Sequence, residues 1–304
     1  MTSHGRDLKG YGATPPRADW PGGARLALSL VLNYEEGAEY SIEHGDAHSE
    51  SILSDLGVGA PLIGERNLNI ESLYDYGSRV GIWRLLKLFG DRNIKLTIYA
   101  VGMALERNPD VAAAIVEAGH EVASHGWRWI DYQNVPEAEE AAHIRQTVAV
   151  IERLTGARPL GWYTGRPGPN TRRLVVAEGG FLYDSDAYDD DLPYWRNVDG
   201  KGHLILPYSF DNNDSRFTRS QGLDLADDFF TYLRDAFDWL YGEGATTPRM
   251  MSVGLHCRLV GRPGRIGGLA KFLDHVQKHS DVWICRRLDI ARHWRSRHPY
   301  RAGV

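Results

Sequence analysis

The sequence predicts an α/β protein, a (β/α) barrel of about seven to eight parallel strands. Two observations carry that expectation. Apolar runs of strand length alternate with segments of helical period along most of the chain. Polar residues able to do chemistry recur just past the ends of the expected strands, the face where a barrel gathers its βα loops. With 304 residues, 42% hydrophobic and 25% charged, the chain has the composition of a globular protein and is long enough for a sizeable core. A net charge of −5 lacks the basic excess of a dedicated nucleic-acid binder. No apolar stretch approaches the ~20 residues that would cross a membrane, and the N-terminus, MTSHGRDLKGYG, has no apolar core of a secretion signal. Two cysteines without a CxxC give no disulfide framework. The expectation is a soluble, cytoplasmic enzyme, with no nucleic-acid or membrane partner.

Residues 1–24 are polar and rich in Pro and Gly, and read as an irregular arm. Residues 25–304 read as one barrel domain. Its first strand is the run RLALSLVLN at 25–33, followed by a weakly patterned insertion at about 38–70, a length of loop that is usually functional. Helical spacing then runs through Leu73, Tyr76, Val80 and Trp83, followed by the strand-like KLTIYAV. Asn108 and Pro109 mark a helix start and Gly119 its end. EVAS is the next strand, and a helix carries Ile144, Val148, Ile151 and Leu154 on one face up to Gly156. LGWYT, FLYDS, HLILPYS and MMSVGLH read as further strands, and the chain ends helix, strand, helix.

There is no GxGxxG, P-loop, HExxH or GxSxG. Five clusters follow expected strands instead. In Asn33-Tyr34-Glu35-Glu36-Gly37 the paired acids either titrate as a couple that supplies a general base or form a solvated loop. His125, beside Trp127 and Trp129, is a ligand, an acid/base group or a packed ring, and the aromatics are core or the walls of a small-molecule pocket. Arg166, in a Gly- and Pro-rich turn, can fork onto a carboxylate. Asp184 is the acid of its run closest to a strand end. His256 can act as general acid, whereas Cys257 beside it reads as a small buried hydrophobe. Together these residues suggest hydrolysis.

The order of LNYEEG, ESLYDYGSR, SHGWRWIDYQ, GPNTRRLV, FLYDSDAYDDDLPYW and GLHCRLVGRPGR resembles the polysaccharide deacetylase (NodB-like) superfamily. Within it, the chain is most similar to the metal-independent bacterial allantoinases. The resemblance spans nearly the whole chain and implies a distorted barrel. It matches Glu35 to the deacetylase catalytic-base aspartate, Glu36 to a metal-binding aspartate, Arg166 to the arginine that steadies the base, and His256 to the general acid. The deacetylase His-x-x-x-His pair falls on His125 and Trp129, and tryptophan cannot coordinate a metal. Glu36 and His125 alone make a poor zinc site, so no cofactor is expected, with zinc as the fallback and Asp131, two residues beyond Trp129, a candidate substitute ligand.

The implied reaction is hydrolytic ring opening of a cyclic ureide, allantoin, to allantoate. In the expected mechanism Glu36, with Glu35 and His125, activates water; Arg166 or backbone N–H groups hold the oxyanion; and His256 protonates the departing nitrogen. Asn33, Trp127, Trp129 and Asp184 are the expected substrate contacts. Which glutamate is the base stays open. So do the rivals: another hydantoin or cyclic-imide hydrolase, a metal-dependent N-deacetylase of amino sugars, or a catalytically dead sensor. Substrate choice is expected to lie in loops such as 210–217. The resemblance also implies a homotetramer.

Overall fold

In the computed structural model, residues 6–302 are described, so the first five residues of the arm lie outside the described residues. Strand β1 (Leu26–Tyr34) is buried at every position, as its mainly apolar run requires of a parallel strand covered on both faces. It pairs in parallel with β8 (Arg249–His256) along eight residues, from Leu26 opposite Arg249 to Asn33 opposite His256. Its other edge is shared: β9 (Val282–Ile284) pairs with its first half and β2 (Thr97–Ala100) with its last. From β2 the sheet continues through β3 (Glu121–Ser124), β4 (Gly161–Trp162), β5 (Tyr183–Asp184) and β7 (Lys201–Ile205), and β6 (Tyr194–Val198) forms its far edge.

The expected barrel is therefore present as a curled, nine-stranded sheet that does not close. The reason lies in β6, the one antiparallel strand, which folds back on β7 and occupies the edge that β8 would have to reach. Arg287 spans the interior instead. Its fully buried guanidinium donates to Ser252 on β8, to Ser185 beyond β5, and to the carbonyls of Leu206 and Pro207 beyond β7.

Helices α1 (Leu68–Tyr76) and α2 (Ile82–Gly90) form one run broken by a π-turn at Gly77–Gly81. Both ends of that turn require glycine. A Cβ on Gly77 would overlap the Glu36 side chain, and one on Gly81 would overlap the Cys257 carbonyl. The widened turn thus lets the helix press against the loops after β1 and β8, a common use of π-bulges. Next come α3 (Gly102–Arg107), α4 (Pro109–Glu117), α5 (Glu137–Thr155), α6 (Thr171–Glu178), α7 (Ala226–Glu243), α8 (Pro263–Val276) and α9 (Arg287–Arg297). α4 starts on Pro109, and Gly119 and Gly156 take the left-handed conformation after their helices, as expected. The Asn108 side chain, however, donates to Ser78 and does not cap α4.

The arm is irregular but anchored: Trp20 is buried against Trp283, His293 and Trp294. The insertion contains only a 3₁₀ turn (Ile42–His44) and one bridge between His48 and Ile63. Its order comes from Arg128, whose buried guanidinium holds Asp46 at 2.5 Å and the Glu39 carbonyl at 3.1 Å.

Candidate active site

The register of β1 with β8 places Glu35 and His256 side by side at the C-terminal mouth of the sheet. Glu35 Oε1 lies 3.2 Å from His125 Nε2, at the end of β3, and 3.4 Å from His256 Nε2. Its other oxygen, Oε2, accepts from Arg258 Nη2 at 2.6 Å. All four side chains are buried. Burial alone would raise the Glu35 carboxyl, but Arg258, His256 and His125 together outweigh it and hold the group well below the usual carboxylate range. Burial likewise opposes charge on His256, and Glu35 and Asp214 overcome it, lifting the imidazole to about 9. Near neutrality the site therefore holds an ionised glutamate against a protonated histidine.

Asp214 was not among the expected site residues. It accepts the ring Nδ1–H of His256 at 2.6 Å and the backbone N–H groups of His256 and Val260 at 2.7 and 3.1 Å. This fixes the ring so that Nε2 faces Glu35 and the cavity. The residue sits in a loop of the type expected to choose substrate, and nothing in its neighbours along the chain marks it as a partner of His256.

Glu36 does not share the place of Glu35. Its side chain packs on Gly77 under the π-turn, with Oε1 3.3 Å from Arg258 Nη1, and it is absent from the cavity wall. Burial raises its carboxyl, Glu35 adds to that, and Arg258 only partly offsets it. The two glutamates are thus placed differently: Glu35 faces the cavity and Glu36 is turned into the core. Arg166 lines the cavity but does not touch Glu35. It lies over the Trp129 ring at 3.6 Å and 3.5 Å from Glu50, whereas the guanidinium that grips Glu35 is that of Arg258, two residues after His256.

A cavity of about 310 Å³ opens beside this cluster. Asn33, Glu35, His125, Trp129, Arg166 and His256 line it, with Tyr163, Tyr208 and Phe210, and the insertion contributes Ile52, Leu53 and Val58. Asn33 donates to the Tyr208 hydroxyl at 3.1 Å and to the Leu255 carbonyl at 3.0 Å. Two expected substrate contacts lie elsewhere. Trp127 packs over Gly102 and lines a separate crevice with Tyr132 and Trp162, because the chain turns at Gly126 and directs the ring behind the sheet mouth. Asp184 is buried in an ion-pair cluster with Arg172 (2.8 Å) and His203 (3.1 Å), a framework role. Cys257 is fully buried and burial pushes its thiol well up, so it is a packed group and not a nucleophile.

The residues do not fit a metal at this site. Glu36, one of the two ligands that would remain, points into the core beside a guanidinium, and Trp129 fills the position of the third. Asp131, the possible substitute, uses its carboxylate to accept the Gln133 backbone N–H at 2.7 Å. Among the described residues no trio of His, Cys, Asp or Glu within ligand reach includes Glu36 or His125. A buried cation, Arg258, stands beside the carboxylate instead.

The chain belongs to the polysaccharide deacetylase family. Residues 68–177 match the family described as polysaccharide deacetylase. A Schizosaccharomyces pombe protein bearing the polysaccharide deacetylase name is 43% identical, over 98% of this chain and 99% of its own. Among solved structures, the chain is similar to PuuE allantoinase, with 60% identity, a TM-score of 0.96 and coverage of 98% of this chain and 99% of that one. A Pseudomonas aeruginosa PAO1 structure carrying the deacetylase name matches at 58% identity and a TM-score of 0.96, covering 98% of this chain and all of its own. The peptidoglycan deacetylase of Helicobacter pylori is more distant, at 26% identity over 74% of this chain and 87% of its own.

Proposed function

We propose that the chain is an allantoinase, opening the hydantoin ring of allantoin by hydrolysis of a cyclic amide bond to give allantoate. The observation that carries this reading is Glu35 Oε1 set between the Nε2 atoms of His125 and His256 on the wall of a small cavity. The likeness to PuuE allantoinase supplies the substrate.

The flat ring lies in the cavity lined by Trp129, Tyr163 and Tyr208, with Arg166 offering donors to its carbonyl oxygens. A water in the cavity beside Glu35 attacks the ring carbonyl, and Glu35 takes its proton. A strongly depressed carboxyl is a weak base at rest. Its basicity rises as His256 passes its proton to the departing ring nitrogen, because the adjacent positive charge then disappears. Asp214 keeps His256 cationic until that moment and holds Nε2 toward the leaving group.

The acid must be protonated to act, so kcat/KM is expected to hold through neutrality and fall as pH rises through about 9. Asp214→Asn removes a charge that raises His256, and the alkaline limb should move to lower pH. A limb that stays in place in that variant would remove His256 as the acid.

We further propose that hydrolysis needs no metal, Arg258 supplying the positive charge at the carboxylate. Protein dialysed against a strong chelator, with metal content measured on the same sample, should hydrolyse allantoin at full rate. Activity that vanishes and returns with zinc would overturn the metal-free reading. Absence of activity in both states would overturn the substrate.

A further inference from the structure

The described residues bring together one trio with metal-ligand chemistry, and it lies outside the cavity: Asp238 on α7, His275 on α8, and His279 in the turn that ends α8. One ligand atom from each lies within 4.8 Å of the others. We propose that this trio is a zinc site that clamps α7 to α8.

Three features favour zinc over a chance cluster. First, two imidazoles and one carboxylate suit zinc, with water completing a tetrahedron. Second, the His279 ring is already oriented. His279 Nδ1 lies 3.1 Å from the His275 carbonyl, so that nitrogen carries the proton and Nε2 is left with its lone pair outward. A ring N–H donated to a backbone carbonyl is the usual support of a metal-bound histidine. Third, aromatic walls hold both rings in place. Phe237 meets His275 and His279 edge-on at 5.6 and 5.1 Å, and Tyr241 meets His279 at 4.9 Å. The His275 and His279 rings themselves stand 5.0 Å apart.

Without metal, His275 Nε2 and Asp238 Oδ1 meet directly at 2.7 Å. The Asp238 side chain is about half exposed, so a rotation at the surface opens the space for an ion between them.

The test titrates zinc chloride into chelator-treated full-length protein by calorimetry, with thermal unfolding followed in parallel. Saturable 1:1 binding and a Tm that climbs with zinc concentration are expected. His279→Gln and, separately, the near-isosteric Asp238→Asn should each weaken binding beyond the ~10–100-fold lost when only a supporting group is removed. Both variants should keep the apo protein's Tm and its allantoin turnover, which separates a failure here from a failure of the proposed activity. His125→Gln should leave zinc binding intact. Absence of binding, or binding lost in His125→Gln and kept in His279→Gln, would overturn the site.

Discussion

Replacing Glu35 with Gln should lower kcat/KM for allantoin by about 10²–10⁴-fold, the usual contribution of a positioned general base. The companion change Glu36→Gln should cost no more than a few-fold. Glu36 is held toward its protonated form under the π-turn, and an amide there keeps the shape and the contact with Arg258. Steady-state kinetics on the two variants separate the carboxylates, which are adjacent in sequence but face opposite environments. Equal losses in both, or a larger loss in Glu36→Gln, would return the base to Glu36.

Arg258→Met should produce the largest loss of stability of any single change at the site, about 3–5 kcal/mol. It leaves Glu35 and Glu36 buried without their shared cation and the Leu53 carbonyl without its donor. The pH dependence follows from Glu35. Its folded carboxyl is depressed, so its stabilising contribution is present above the usual carboxylate range and fades as pH falls through the folded value. Removing Arg258 weakens that depression. The deficit of the variant should therefore be widest near pH 7 and narrow in acid, as read by urea unfolding at several pH values. Arg258→Lys should recover only part of it, because one ammonium cannot reproduce a fork that reaches Glu35, Glu36 and Leu53 together. A deficit that does not change with pH would mean that Arg258 acts through packing on Tyr74 alone.

The catalytic candidates Glu35, His125 and His256 were legible because each ends or directly follows a strand that its own run of residues announces. Arg258 stood in view beside His256, but charge next to charge along a chain does not say which groups will be buried together. Asp214 was hidden for a different reason: its partner is 42 residues away and the two meet only through the fold. β6 was missed although its signal was present. Asp199 and Gly200 both take positive φ between β6 and β7, and an Asp-Gly pair is a strong hairpin signature. Without that strand a closed barrel was the natural expectation. Asp184 was misplaced because proximity to a strand end does not reveal an arginine and a histidine waiting inside.

The central position of β1 has a consequence for how the chain is made. A ribosome delivers β1 more than two hundred residues before β8 and β9, which cover its flanks. Through most of synthesis one whole edge of the most apolar strand is an open row of backbone donors and acceptors, the kind of template on which nascent chains stick to one another. Glu35 stays without its acid partner for the same interval. Chains stalled or truncated before β8 are thus prone to aggregate and carry no assembled site, and the arrival of β8 and β9 both completes the site and buries the hazard.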